Sequence, residues 1–172
     1  MASTALPAPP AKSLLERLFP KQADNRFDGH RAALWLLGLL IALKLVMSLN
    51  SIFNTAAVAG GADGIALDSF GPAAAREVLT LFALTALGQL AIATVALGAL
   101  VRWRTLIPFL YLVMIGEQLA RRALVQVHDV ERTASSAVGW YVTYGMLALL
   151  MLGLVLSLIP VRRAESHDAG DI

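Results

Sequence analysis

Four apolar stretches, each long enough to cross a lipid bilayer, constrain the fold of this chain more than any other feature. A transmembrane helix needs roughly 20 apolar residues, because the hydrocarbon core is about 30 Å thick and a helix rises about 1.5 Å per residue. The stretches are residues 32–54, 78–101, 106–127 and 137–159. The sequence therefore predicts an all-α membrane protein, a four-helix transmembrane bundle with a short N-terminal cytoplasmic segment.

The overall composition agrees with a membrane protein and excludes several kinds of site. Hydrophobic residues make up 58% of the 172 residues and charged residues 15%, whereas soluble domains have about 45–50% and about 25%. The chain has no cysteine, which excludes disulfides, thiolate metal sites and a cysteine nucleophile. The net charge is +2, and the basic residues flank the apolar stretches. They are better suited to lipid headgroups than to a nucleic acid.

The third stretch has the weakest apolar pattern of the four. Its uncharged part, residues 106–116, has only eleven residues and would reach about 16 Å into the membrane. To cross, this helix must carry Glu117, Gln118, Arg121 and Arg122 within or near the far headgroups. The alternative is a three-span chain. We favour four spans, because without the third the last span would have its basic flank on the wrong side.

The distribution of Lys and Arg predicts the orientation of the spans. Nine lie on the side of the two termini and four on the opposite side, with Lys44 inside a span. The richer side is expected to be cytoplasmic, which places both termini there. Trp35, Trp103 and Trp140 each lie near a predicted span end, where aromatic belts form. The composition, rich in Ala, Leu and Arg, is typical of a GC-rich bacterial genome, so we expect the bacterial inner membrane.

The remaining segments divide the chain into three parts. Residues 1–30 are predicted to form a cytoplasmic tail, with a short helix over 13–19 lying on the membrane surface or, alternatively, remaining partly ordered. Residues 31–161 form the transmembrane domain, and residues 162–172 form a cytoplasmic C-terminal tail. Asp28 is the expected N-cap of the first span, and Pro72 fits the first turn of the second helix. The first span is expected to act as an uncleaved anchor, because no apolar run precedes Ala32.

Three polar residues from three different spans are predicted to lie at one depth in the membrane. Lys44 and Glu117 each lie 13 residues beyond the arginine that marks the cytoplasmic start of the helix, and Gln89 lies 13 residues before Arg102. A charge near the membrane centre costs roughly 3 kcal/mol on insertion scales, so it usually has a partner. We therefore expect Lys44 and Glu117 to contact each other, directly or through Gln89 or a water. Arg121 lies one helical turn from Glu117 and is expected to compete for it.

Further polar residues lie between this level and the outer side of the membrane. They predict an outer polar pocket, whose candidate binding residues are Lys44, Ser48, Asn54, Gln89, Glu117, Arg121 and Tyr144. The favoured interpretation is that these residues hold the helices together, because buried polar residues in membrane bundles often do only that. The alternative is a ligand or ion site.

Other chemistry finds little support in the sequence. Glu117 and Arg121 form an E-x-x-x-R pattern, but the doubled Glu and the histidines of intramembrane prenyl proteases are absent. His30, His128 and His167 all lie outside the spans, so we expect neither haem nor another metal. No phosphate-binding glycine loop or nucleophile–base arrangement occurs, and we expect no catalytic residues and no cofactor.

The sequence thus favours a non-enzymatic membrane protein that acts as a structural or accessory subunit. Its expected partners are membrane lipids and either another membrane protein or a second copy of the chain. The alternative function is a small transporter or ligand-binding membrane protein that uses the outer polar pocket.

Overall fold

The computed structural model describes residues 13–128 and 137–160, and this part of the chain is helical, without a strand. Predictions about residues 1–12, the connection at 129–136 and residues 161–172 lie outside the described residues. The helices are α1 (Leu14–Leu18), α2 (Arg31–Phe53), α3 (Thr55–Ala57), α4 (Pro72–Arg102), α5 (Ile107–Val127) and α6 (Ala137–Leu158). A π-helical turn (Val58–Ala62) and two 3-10 turns (Leu67–Ser69 and Arg104–Leu106) connect them.

Three of the described helices are long and apolar enough to cross a membrane. They are α2, α4 and the part of α6 from Tyr141 to Leu158. Helix α5 has 21 residues, but it carries Glu117, Arg121 and Arg122 in its second half and does not reach the same apolar character. The protein is therefore all-helical with three membrane-capable helices, and the packing of α5 decides what the fourth long helix does.

Contacts along the helices give their relative directions. Gly38 of α2 lies beside Leu100 of α4, whereas Lys44 further along α2 meets Gln89 nearer the start of α4, so these helices are antiparallel. Helices α5 and α6 are antiparallel too, because Tyr111 lies against Gly153 and Gln118 against Met146. Helices α2 and α5 run in the same direction. Helices α2 and α5 start at one end of the bundle, where α4 and α6 finish, and we call this the tail end. The opposite end is called the loop end.

The apolar core lies between all four long helices, towards the tail end. Helix α4 contributes only alanines to the buried residues, at positions 86, 93, 96 and 99. Small side chains allow two helix backbones to approach closely, which is how membrane helices gain packing contacts. The burial of these alanines is consistent with close packing of α4 against its neighbours. The core residues are Ala33, Leu37, Leu40, Ile41, Ala96, Ala99, Ile107, Leu110, Tyr111, Met114, Ile115, Met146 and Leu150.

Tyr111 connects three helices at the tail end of this core, a role that the sequence analysis did not identify. Its side chain is fully buried, and its hydroxyl donates a hydrogen bond of 2.7 Å to the backbone oxygen of Ala33. The ring lies directly against the backbone of Gly153, where any added Cβ would collide with it. Glycine is therefore required at this position of α6, because the aromatic ring occupies the volume that a side chain would need.

The segment before α2 docks on the tail end. Helix α1 starts with a capping box, in which Ser13 and Glu16 each accept a backbone N–H from the other. Arg17 donates to the backbone oxygen of Leu158 at 2.8 Å, and the rings of Phe19 and Phe109 lie 5.6 Å apart. The predicted helix over 13–19 is thus present as α1, and its position on a membrane surface stays a prediction.

One predicted helix cap differs from the structure. The N-cap of α2 is His30 and not Asp28, because the His30 Nδ1 accepts the N–H of Ala32 at 3.1 Å. Helix α4 begins at Pro72, so the prediction that this proline lies in the first turn of the second helix is confirmed. Helix α4 thus starts six residues before the predicted span, and the other helix ends lie within one residue of the predicted span limits.

Candidate functional site

A cluster of four polar side chains joins α2, α4 and α5 near the middle of the helices, and we call it the polar cluster: Lys44, Gln89, Glu117 and Arg121. Lys44 Nζ donates to Glu117 Oε2 at 3.0 Å and also to Gln89 Oε1. Gln89 Nε2 donates to Glu117 Oε1 at 2.7 Å. The predicted contact between Lys44 and Glu117 is therefore present, both directly and through Gln89.

Arg121 completes the polar cluster from the next turn of α5. Its Nε and one terminal nitrogen donate to Glu117 Oε1 at 3.1 Å and 2.9 Å. The side chain of Arg121 is 46% exposed, compared with 17% for Glu117 and 6% for Lys44. The cluster thus runs from a buried ammonium to a half-exposed guanidinium. The predicted pairing of Glu117 and Arg121 within one helix is confirmed.

Glu117 and Arg121 differ in how many of their hydrogen-bonding positions are used within the cluster. Glu117 accepts four hydrogen bonds, one on Oε2 and three on Oε1, and a carboxylate offers about four lone-pair sites. Oε1 is therefore fully used, whereas Oε2, with one hydrogen bond, keeps one acceptor position. Arg121 uses two of the five N–H groups of a guanidinium in this contact. The polar cluster consequently has a net positive charge and unused guanidinium donors, besides one acceptor position on Glu117 Oε2.

A partly open cavity of about 220 Å³ lies on the loop-end side of the polar cluster. Of the predicted pocket residues, Lys44, Ser48, Gln89 and Arg121 line it, and Glu117 lies behind them, in contact with the two cations. Apolar side chains also line the cavity, among them Met47, Phe82, Val142 and Met146. The lining therefore combines hydrogen-bond donors with apolar surface.

Two predicted pocket residues do not line the cavity. Asn54 is exposed at the end of α2, where its Nδ2 donates to Asn50 Oδ1 at 2.7 Å. Tyr144 lies outside the lining with its ring under the guanidinium of Arg122, 4.6 Å from the ring centre. Asn54 thus contacts a residue one turn away on its own helix, and Tyr144 contacts an arginine of the adjacent helix α5.

The loop after α2 covers the cavity, which the sequence analysis did not anticipate. Val58, Ala62 and Asp63 of this loop are lining residues. The chain turns back on itself here, because Ile65 N–H donates to the backbone oxygen of Ala59 at 2.9 Å. Gly64 has a φ of 67°, which favours glycine. The sequence signal was the glycine content of this loop, but glycine spacing alone does not show where a loop folds.

No metal centre is found among the described residues, because no three His, Cys, Asp or Glu side chains lie close enough together to hold an ion. The comparisons give no further guidance, since no family model, curated protein sequence or solved structure matches the chain at a significant level.

Proposed function

We propose that the chain is a four-span membrane protein with both termini in the cytoplasm, acting as a non-enzymatic structural or accessory subunit of a bacterial inner-membrane assembly. Helices α2, α4 and α6 can each cross a membrane. The first question is whether α5 crosses with them.

The direction of the helices supports a crossing by α5. Helix α4 finishes at the tail end, and α6 also finishes there, so α6 begins at the loop end. If α4 and α6 both span, the chain between them has to pass from one side of the membrane to the other. Helix α5 makes this passage, in contact with α6 near both of its ends, from Tyr111 to Arg122.

The placement of its charges also makes a crossing by α5 acceptable. Glu117 is paired with Lys44 and Arg121, which lowers the cost of holding a carboxylate in the membrane. Arg121 lies 14 residues after the start of α5, about 21 Å along the helix axis. A long arginine side chain can reach the outer headgroups from that depth.

The pairing within the polar cluster is the single observation that carries the structural role. Three helices each supply one polar residue, of which Lys44 is buried and Gln89 and Glu117 are partly buried. Glu117 accepts hydrogen bonds from Lys44, Gln89 and Arg121. Buried polar contacts of this kind fix the register and the partners of helices. The excess of basic residues at the tail end supports a cytoplasmic location for that end, and the apolar outer surface offers room for lipids and a membrane partner.

This proposal is tested by extracting the tagged protein from its native membrane in mild detergent and measuring the mass of the complex. We expect a defined assembly that contains either a stoichiometric second protein or a second copy. A variant with Lys44→Met, Gln89→Leu and Glu117→Leu should retain that assembly, because apolar residues of similar size can replace a buried polar group. A native protein that runs only as a lipid-bound monomer would contradict the accessory role.

The cavity supports a second candidate function, the binding of a small ligand for sensing or transport. Its lining offers donors from Lys44 and Arg121, while the carboxylate of Glu117 behind them is paired with both cations. A ligand with an anionic acceptor group and a short apolar body would match this lining. Hexanoate is a suitable probe, with hexanol as the uncharged control.

The ligand-binding function is tested by titrating the purified protein with hexanoate and following its thermal unfolding. We expect stabilisation by hexanoate and none by hexanol. Ala86→Phe should abolish the effect, because Ala86 lines the cavity and is nearly buried. Leu84→Phe, on the exposed face of α4, is the matched control. Equal responses of the two variants would contradict a site in this cavity.

A further inference from the structure

A second cleft lies at the tail end of the bundle, and its lining is strongly basic. Its Arg31 lies 13 residues before Lys44 on α2, so the cleft is separate from the polar cluster. The cleft has a volume of about 1190 Å³. Four arginines line it, against a single aspartate, Asp28. The arginines are Arg17, Arg26, Arg31 and Arg104. They come from α1, the linker, the start of α2 and the turn after α4, so the chain brings together cations that are far apart in sequence.

Most of the guanidinium donors in this cleft are not used within the described part of the protein. Arg17 donates to the backbone oxygen of Leu158, and Arg104 Nε donates to the backbone oxygen of Leu100 at 3.3 Å. The side chains of Arg26 and Arg31 form no ion pair with a described carboxylate. An arginine offers five N–H donors in a planar fork, which matches phosphate and carboxylate oxygens.

The backbone around the cleft is held in place by hydrogen bonds to the ends of the long helices. His30 N–H donates to the backbone oxygen of Leu156 at 3.0 Å, and Asp24 N–H donates to Thr105 Oγ1 at 3.0 Å. Gly29 is buried against the backbone of Ser157, where an added Cβ would meet the carbonyl oxygen. The cleft is therefore formed before any ligand arrives, which lowers the entropic cost of binding.

The position of the cleft selects the source of the anion. It lies where α2 begins and where α6 ends, and its lining includes the apolar side chains of Phe27, Leu34 and Pro160 beside the arginines. In a membrane-spanning bundle this is the level of the lipid headgroups, and basic pockets between transmembrane helices on the cytoplasmic side bind anionic headgroups. A soluble anion would need the arginines but would gain nothing from the apolar lining.

We propose that this tail-end cleft is a binding site for the headgroup of an anionic phospholipid, with the phosphate held by Arg26 and Arg31 and the first acyl carbons against Phe27 and Leu34. The proposal depends on the membrane location of the helices and not on the accessory role. The headgroup would join the linker to α2, so that the docked tail is stabilised by the lipid as well as by its own contacts.

The test uses the full-length protein in a neutral detergent and native mass spectrometry with phosphatidylglycerol or phosphatidylcholine as the added lipid. We expect tighter binding of phosphatidylglycerol. The double variant Arg26→Gln and Arg31→Gln should weaken that binding about tenfold or more, because each arginine near a charged membrane surface contributes on the order of 1 kcal/mol. Both side chains are exposed, so the substitutions should leave the fold intact.

The control variant is Arg76→Gln, which removes an exposed arginine at the start of α4, far from the cleft. It should bind phosphatidylglycerol like the unaltered protein, and circular dichroism should show the same helix content for all variants. Equal affinity for the two lipids, or equal losses in the double variant and in Arg76→Gln, would overturn the proposal. Inorganic phosphate that competes at the same concentration as the lipid would assign the cleft to a soluble anion and overturn the lipid assignment.

Discussion

At the scale of single residues, Glu117 joins three helices through one side chain. One carboxylate accepts from an amide on α4, an ammonium on α2 and a guanidinium on its own helix. A membrane interior supplies no water to replace such partners, so a charge left alone there is costly. The stability of the polar cluster therefore depends on all of its members together, and the effects of single substitutions should not be additive.

Removing either charge of the pair Lys44 and Glu117 should lower the stability strongly. Removing both charges together should cost less than the two single losses added. Lys44→Met leaves Glu117 with Arg121 and Gln89, and Glu117→Gln leaves a buried ammonium beside neutral amides without a counter-charge. Breaking a buried ion pair costs about 3–5 kcal/mol in soluble cores, and we expect the larger loss for Glu117→Gln. The double variant should be more stable than the sum of the single losses predicts.

The measurement is thermal unfolding of the four proteins of this cycle in the same detergent. Thr94→Val is a suitable control, because Thr94 is exposed on α4 and its hydroxyl donates only to Leu90 of its own helix. Losses that add within error would show that Lys44 and Glu117 do not interact in the folded protein.

Tyr111 and Gly153 give a second prediction at this scale. Gly153→Ala should destabilise the protein by several kcal/mol, since overpacking a dense core typically costs about 1–3 kcal/mol and occasionally more, and here the new methyl group would meet the ring. Tyr111→Phe should cost about 1 kcal/mol, the usual net worth of one hydrogen bond, which here goes to Ala33. Gly145→Ala is the matched control, because nothing lies near its added Cβ. A Gly153→Ala protein that melts like the Gly145→Ala protein would contradict this packing.

At the scale of elements, α1 shows how a short helix is held by its contacts. Five residues are too few for a stable isolated helix, and Leu14 and Leu15 are mostly exposed. The capping box, the bond from Arg17 to Leu158 and the ring contact of Phe19 with Phe109 attach it to the ends of α5 and α6. These contacts are all made by residues 13–19.

Two truncations separate the tail from α1. Deleting residues 2–12 should leave the melting temperature in detergent unchanged, because the contacts of α1 begin at Ser13. Deleting residues 2–19 should lower it, since the contacts with Leu158 and Phe109 are lost. The same loss for both deletions would show that residues 1–12 take part in the docking.

The sequence predicts the helices and the depth of their polar residues well, because apolar length and helical rise determine both. It predicts side-chain contacts less well, because these depend on how the helices pack. Counting residues from the basic ends predicts the meeting of Lys44, Gln89 and Glu117, because a helix has a fixed rise per residue. Asn54 is also polar and near the same face, but the end of α2 leaves it exposed. Tyr111 was missed because an aromatic residue in an apolar helix gives no sign of the partner that its hydroxyl will reach.

Local capping is a further limit of the sequence. Asp28 and His30 are both side chains that can accept a backbone N–H, and the choice of His30 depends on where the linker docks. His30 N–H is bonded to Leu156, which fixes the chain direction at the start of α2. The resulting limit of α2 differs by one residue from the predicted one, so a wrong cap assignment changed the span itself very little.

At the scale of the whole molecule, the polar and the basic features lie at different levels. The apolar core and the basic cleft lie towards the tail end, and the cavity beside the polar cluster lies towards the loop end. The apolar core therefore separates the basic cleft at the tail end from the cavity nearer the loop end. The orientation in the membrane therefore determines which compartment can reach the cavity.

The last prediction concerns this orientation, and the absence of native cysteines makes it simple to test. Single cysteines are introduced at Lys21, before α2, at Gly61, in the loop covering the cavity, and at Ser135, between α5 and α6. Intact cells are treated with a maleimide that does not cross membranes. We expect labelling at positions 61 and 135, and labelling at position 21 only after the cells are permeabilised.

If α4 and α5 both span, two crossings separate residues 61 and 135, so these residues lie on the same side of the membrane. One crossing, by α2, separates residues 21 and 61, so these lie on opposite sides. Gly61 is exposed and has open space around its Cβ, so the new side chain should be reachable without disturbing the fold. Labelling of position 135 in the same pattern as position 21 would mean that α5 does not cross. Labelling of position 21 in intact cells would reverse the orientation and place the cavity on the cytoplasmic side.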